Sequence, residues 1–239
     1  MPHTFQECLV SDIFQVSDRV KIFSIQFPGP EHFVFKPGQF VMLNLPIESK
    51  YHNRAYSIAS APGADNTIQL VISFKPHGKG TQYLWEHVRI GDKLNVSTNA
   101  LGKYALPECI DRELCFISTG TGIAPLRSMI LDLFARHQTH NKITLIYGNR
   151  FEQDILFRTE FEKLETDKPE FKFIPVLSRD NPGWTGRKGY VHPVYEELFS
   201  DNRPAYFYIC GWKEMIKESK ERLMKMGYEK QYIRFESYD

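Results

Sequence analysis

Cysteine is scarce in this chain: there are four among 239 residues. Cys8, Cys109, Cys115 and Cys210 form no CxxC pair and no clustered quartet. That spacing supports neither a disulfide framework, a zinc or other metal site, nor a built-in iron–sulfur cluster. Charge of one sign is also missing, since 30 Lys+Arg against 29 Asp+Glu leave +1. Nothing in that balance suits a polyanionic partner, and no nucleic-acid partner is expected. No uninterrupted apolar run approaches the roughly 20 residues that a membrane helix needs. The first residues, Met1 to Glu7, lack a cationic segment followed by an apolar one. A soluble cytoplasmic protein with no membrane partner is the expectation, and a monomer. Repeats, low-complexity tracts and a long linker are absent as well.

What is present changes texture near residue 107. Before it, short segments rich in Val, Ile, Phe and Tyr are punctuated by Pro28-Gly29-Pro30, Pro37-Gly38, Ala61-Pro62-Gly63 and Gly91-Asp92. That is the rhythm of an antiparallel β-barrel. After it, candidate strands Leu114–Ile117, Ile143–Tyr147, Phe171–Val176 and Tyr206–Cys210 alternate with candidate helices Ala124–Arg136, Gln153–Glu165 and Lys213–Lys225. A last strand is expected around Tyr232–Phe235. Such alternation predicts an α/β domain with a parallel sheet covered on both faces. The chain is long enough for two ordinary domains, and Leu106-Pro107-Glu108 divides it into residues 1–106 and 107–239.

Two runs carry chemistry. Arg54-Ala55-Tyr56-Ser57 packs a cation, an aromatic ring and a hydroxyl into four positions of a strand-like segment. Alone, an Arg and a Tyr alternating on a barrel strand are more often surface contacts. Further on, the apolar Leu114-Cys115-Phe116-Ile117 leads into Ser118-Thr119-Gly120-Thr121-Gly122-Ile123-Ala124-Pro125. Leu126, Met129, Ile130, Leu133 and Phe134 then recur at spacings of three and four. Strand, glycine turn and helix in that order let backbone N–H groups at a helix N-terminus approach a pyrophosphate, and Pro125 suits the first turn. The glycine spacing is not the usual GxGxxG.

Taken in order, Arg54-Ala55-Tyr56-Ser57, Gly78-Lys79-Gly80-Thr81, Gly120-Thr121-Gly122-Ile123-Ala124-Pro125, Tyr147-Gly148-Asn149-Arg150 and Cys210-Gly211 with Met215 resemble the ferredoxin–NADP reductase family across nearly the whole chain. The resemblance implies a flavin-binding barrel joined to a nicotinamide-binding α/β domain. FAD would be held by Arg54, Ala55, Tyr56 and Ser57 on one side and by Gly78, Lys79, Gly80 and Thr81 on the other, with Thr121 and Tyr238 also touching it. Arg54 would grip the pyrophosphate, Tyr56 would lie against the ring system, and the Ser57 hydroxyl would reach its reactive nitrogen N5. The nucleotide would meet Thr119, Gly120, Thr121, Gly122, Cys210, Gly211 and Met215. Ser57, Cys210 and Glu236 form the expected catalytic set.

For the nucleotide, Arg150, Ser178, Arg179 and Arg187 stand where relatives bind the 2′-phosphate, which favours NADP(H). Of these only Ser178-Arg179 discriminates, and pairing of Arg179 with Asp180 would return the site to NADH. Glu236 and Tyr238 match a C-terminal Glu-x-Tyr spacing in which the Tyr stacks on the flavin, although Asp239 follows here. The implied activity is hydride exchange between NADP(H) and FAD, with single electrons passed to a separate ferredoxin or flavodoxin. The alternatives are the reductase component of an oxygenase, a free-flavin reductase and a non-catalytic regulatory subunit. Lys36, Lys75, His77, Lys79 and Lys103 either meet an acidic carrier or form a solvated face.

Overall fold

The computed structural model describes residues 4–63, 65–136 and 141–238. They form two compact units, Met1–Leu106 with Arg127–Arg136, and Pro107–Leu126 with His137–Asp239.

The first unit holds β1 (Phe5–Ser17), β2 (Val20–Gln26), β3 (Phe40–Ile47), β4 (Lys50–Ser57), β5 (Thr67–Ser73), α1 (Lys79–Glu86) and β6 (Lys93–Ser97). The strands make a six-stranded antiparallel sheet in the order β4-β3-β6-β1-β2-β5. Its two outer strands curl together: Ile58, just past β4, bridges Leu70 on β5, and Ala59 N–H donates to Gln69 O at 2.8 Å. The expected barrel is thus a curled sheet closed by a short bridge. Alternation on β3 shows why it curls. Val41, Leu43, Leu45 and Ile47 are buried while the residues between them are not, the period of two that turns one face inward. With Phe23, Ile25, Leu70, Leu84 and Val96 they build a continuous core. Glu48 and Ser49 join β3 to β4 with φ of 51° and 61°, the two-residue left-handed turn that matches strand twist. Arg127 and Ser128 belong to this unit through side chains: Arg127 Nη1 donates to Ala59 O at 2.9 Å, and Ser128 Oγ to Ser60 O at 2.6 Å.

The second unit contains β7 (Glu113–Thr119), α2 (Ile123–Ala135, whose later turns group with the first unit), β8 (Ile143–Asn149), α3 (Arg158–Asp167), β9 (Phe171–Leu177), β10 (Arg187–Lys188), α4 (His192–Leu198), β11 (Ala205–Gly211), α5 (Lys213–Lys225) and β12 (Ile233–Ser237). Its sheet is parallel throughout, in the order β10-β9-β8-β7-β11-β12. All seven residues of β8 are buried, as a strand covered on both faces requires. The order reverses at β7: the chain proceeds outward through β8 and β9, then returns to place β11 on the other side. Ligands of open α/β sheets bind at the carboxyl ends of the strands beside such a switch.

Three local expectations change. The helix expected from Gln153 begins at Arg158, because Asp154 accepts the Phe151 N–H at 3.1 Å to close a separate single turn, and Phe157 then adopts φ 56°. The short helix α4 carries too little periodicity to be read from sequence. The last strand extends to Ser237, which brings Glu236 opposite Cys210. No helix among the described residues is long and apolar enough to cross a membrane.

Candidate functional site

In the first unit, β4 and the start of α1 converge. Arg54, Tyr56 and Ser57 lie at the end of β4, paired with β3. A Cβ on Gly80 would stand 3.1 Å from Arg54 Cγ and 3.2 Å from its Nε, so only glycine lets the helix start lie against that guanidinium without displacing it. Arg54 Nη1 donates to the Asn53 carbonyl at 2.8 Å, which orients the side chain and leaves its other N–H groups available. The first N–H groups of α1 lack intrahelical acceptors, so a cation and backbone donors face one region suited to a diphosphate. Tyr56 is half-buried, and burial pushes its phenol up to about 12 against the opposing Arg54 charge. It therefore presents a neutral ring. Ser57 is buried.

Two expected contributions change character. The Thr81 hydroxyl donates within the loop, towards Gly78 O (2.9 Å) and Lys75 O (3.2 Å), and accepts Lys75 N–H at 3.0 Å. It braces the Lys75–Gly78 turn, leaving the Thr81 backbone N–H as its contribution to an anion. Lys79 Nζ pairs with Glu48 at 2.7 Å on the exposed surface.

In the second unit, the carboxyl ends of β7 and β11 meet under tight constraint. A Cβ on Gly122 would lie 2.4 Å from Cys210 O, and one on Gly211, at φ +140°, 2.3 Å from Thr119 Oγ1. The Thr119 hydroxyl accepts the Trp212 N–H at 3.0 Å, and the Tyr147 hydroxyl donates to Gly120 O at 2.8 Å. These contacts fix the glycine turn from two sides. Thr119 therefore acts as a weld between strands. Thr121, half-exposed, and Gly120, exposed at φ +54°, are the turn residues open to a ligand.

Cys210 stands opposite Glu236 on β12 and Ser118 on β7. Burial pushes its thiol well above the usual range; the Glu236 charge acts in the same direction, and the nearby Tyr238 hydroxyl opposes. Cys210, Glu236 and Tyr238 are thus gathered at one edge of the sheet, while Asp239 lies outside the described residues. Met215 differs from expectation: it is 4% exposed and packed in the core, because its position in the first turn of α5 faces the sheet.

The cationic residues also sort themselves. Arg187 forms a bidentate pair with Glu197, at 2.8 and 2.6 Å, which sequence reading missed because ten residues separate the partners. The Ser178 hydroxyl donates to Asn149 O at 3.2 Å. Arg150 and Arg179 are exposed, and among the described residues neither is in an ion pair; Asp180 does not take Arg179. Arg179 N–H donates to Arg150 O at 3.2 Å, so the backbones of the two arginines are adjacent.

Comparison with known proteins decides the family. An oxidoreductase FAD-binding domain model matches residues 7–104, and an oxidoreductase NAD-binding domain model matches residues 116–221. Ferredoxin–NADP reductase B of Sorangium cellulosum is 32% identical over 232 residues, covering 94% of this chain and 93% of that protein. The chain belongs to the ferredoxin–NADP reductase family. The family also embraces other oxidoreductases: the phenol 2-monooxygenase reductase component DmpP of a Pseudomonas species is 30% identical over 91% of this chain, which spans 61% of that longer protein. A ferredoxin NADP+ reductase from Neisseria gonorrhoeae, solved with bound FAD and NADP, superposes with a TM-score of 0.84 at 27% identity over 99% of both chains. The reductase fold accordingly comprises an FAD-binding unit built on β1–β6 and a nicotinamide-dinucleotide-binding unit built on β7–β12. The Arg54–Gly80 cradle fits the first ligand, and the Gly120 turn at the sheet's switch point fits the second.

Proposed function

We propose that the chain is an FAD-dependent NADPH reductase that exchanges single electrons with a ferredoxin or flavodoxin. The observation that carries the NADPH reading is the pair Arg150 and Arg179, two exposed arginines whose backbones are joined by the Arg179 N–H···O=C Arg150 bond and neither of which is in an ion pair among the described residues. Two adjacent cations repel one another and are relieved by a dianion, and guanidinium matches phosphate geometry. Glu197 makes Arg187 a weaker contributor. The alternative family role, the reductase component of an oxygenase, draws support from the 30% identity to DmpP and would favour NADH or a different acceptor.

FAD, when bound, would accept one hydride, two electrons at once, and release those electrons one at a time. Arg54 and the first amides of α1 hold its diphosphate, Tyr56 offers a neutral aromatic face, and Ser57 supplies a hydroxyl. In the nucleotide unit, Thr121 and the Gly120 turn position the pyrophosphate. Cys210 presents a neutral thiol at neutral pH, since burial opposes the thiolate. Hydride transfer needs no nucleophile, so Cys210, Glu236 and Tyr238 act by shape and polarity where the nicotinamide binds. The exposed Lys36, Lys75, His77 and Lys103 suit an acidic carrier. A cytoplasmic, monomeric enzyme is consistent with this role.

Absorbance of the purified protein provides the test. Bands near roughly 370 and 450 nm that bleach faster under anaerobic NADPH than under NADH, with electrons then passed to ferredoxin, are expected. A protein that takes up no FAD sinks the reductase reading, and faster bleaching by NADH sinks the nucleotide assignment alone.

A further inference from the structure

We propose that Asn181 is a positioning residue for nucleotide choice, holding Arg150 and Arg179 at the spacing that a 2′-phosphate requires. The inference rests on the NADPH reading above.

Asn181 is 9% exposed, although it lies in a loop whose next residues are open to solvent. Its side-chain amide is fully used. Nδ2 donates to Arg179 O at 2.8 Å and to Arg150 O at 3.3 Å, and Oδ1 accepts the Glu152 N–H at 3.0 Å. Its own carbonyl accepts the Trp184 N–H at 3.0 Å. One side chain therefore ties the loop after β8 to the loop after β9, and the two carbonyls it grips belong to the two unpaired arginines. Only an amide supplies two donors and an acceptor from one short side chain. An aspartate would set its carboxylate against two carbonyls, and an alanine would remove all three of these hydrogen bonds between the two loops.

The consequence is selective. The glycine turn that meets the pyrophosphate is held by Tyr147, Thr119 and Gly211, and the hydrogen bonds of Asn181 go instead to Arg150, Glu152, Arg179 and Trp184. Loosening Asn181 therefore frees the arginine pair while the pyrophosphate contacts stay in place. The loss therefore falls on ligands carrying a 2′-phosphate.

The test compares Asn181→Ala with the parent as FAD-loaded proteins. Calorimetry with adenosine 2′-monophosphate and adenosine 5′-monophosphate measures the site without turnover, and the kcat/KM ratio for NADPH over NADH measures it in the reaction. We expect the 2′-phosphate ligand to weaken by about tenfold or more, the 5′-phosphate ligand to shift far less, and the ratio to fall in step. In an Arg150→Ala/Arg179→Ala background the same substitution should change the ratio little, because the groups it positions are gone. Equal weakening of both ligands, no change in either, or an undiminished effect without the two arginines would overturn the proposal. If Asn181→Ala does not purify folded, Asn181→Ser, which keeps a hydroxyl but cannot span both carbonyls, undergoes the same measurements. Failure of the NADPH reading is seen separately, in a parent protein that binds the 2′-phosphate no better than the 5′-phosphate.

Discussion

Replacing Gly122 by alanine tests whether the nucleotide turn is built on strand contact. The added Cβ would lie 2.4 Å from Cys210 O and 2.5 Å from Cys210 C and Gly211 Cα. These are backbone atoms of β11, a buried strand paired on both sides, so no side-chain rotation relieves the clash. The turn or β11 must shift. Overpacking of this kind costs roughly 1–3 kcal/mol. At about 2–4 °C per kcal/mol for a chain of this size, the melting temperature should fall by roughly 2–12 °C. The turn amides move with the backbone, so the KM for NADPH should rise by at least about tenfold. Gly120→Ala is the control. No atom lies within 4 Å of its Cβ, and only the φ of +54° opposes the change, at about 1–2 kcal/mol. Calorimetric melting and steady-state kinetics of both variants decide the matter. A Gly122→Ala protein that melts with the parent and keeps its NADPH affinity would refute the argument.

Other outcomes follow from single groups. Arg54→Leu removes the charge beside Gly80 and should weaken FAD by about 10–100-fold, at roughly 1.5–3 kcal/mol for charge-directed hydrogen bonds; retention of full yellow colour through gel filtration would refute this. Under native conditions iodoacetamide should label Cys109, which is exposed, well before Cys8, Cys115 or Cys210, all buried with thiols raised by burial and Cys8 pushed up to about 12; peptide mass spectrometry reads the order. His192 is buried against Tyr195 and Ser219, with Glu218 at 3.3 Å and Arg222 and Glu196 nearby, and burial lowers its pKa below 6.5. The unfolded chain takes up that proton first, so stability should decline as pH falls from about 6.5. His192→Asn should flatten that slope in melting curves at pH 5 to 7.5, and an unchanged slope would show that other groups carry it.

How far the sequence could be read depended on the range of the interaction. Periodicity of two on β3 and the strand–glycine–helix order after β7 are local, and both organised units follow from them. The helix expected from Gln153 was misplaced, since the left-handed Phe157 leaves no mark on the apolar spacing. Met215 read as a ligand from its place after Cys210-Gly211, yet the rotation of α5 turns it into the core. Asn181 and Trp212 carry no motif signal, and Tyr147 is marked only by its motif, because their roles are hydrogen bonds involving the backbone, which residue type does not announce.

Sequence alone pointed to the family, the two-part architecture and the candidate residues for a flavin and a dinucleotide, because motif order and hydrophobic period are properties of the chain itself. The tertiary structure decided which of those residues are available. It gave Arg187 to Glu197, set Thr81 and Thr119 to bracing their own turns, and left Arg150 and Arg179 open beside one another under Asn181. Those choices depend on hydrogen bonds and ion pairs between strands and loops far apart in the chain, and such partners are selected only when folding brings them within about 3 Å.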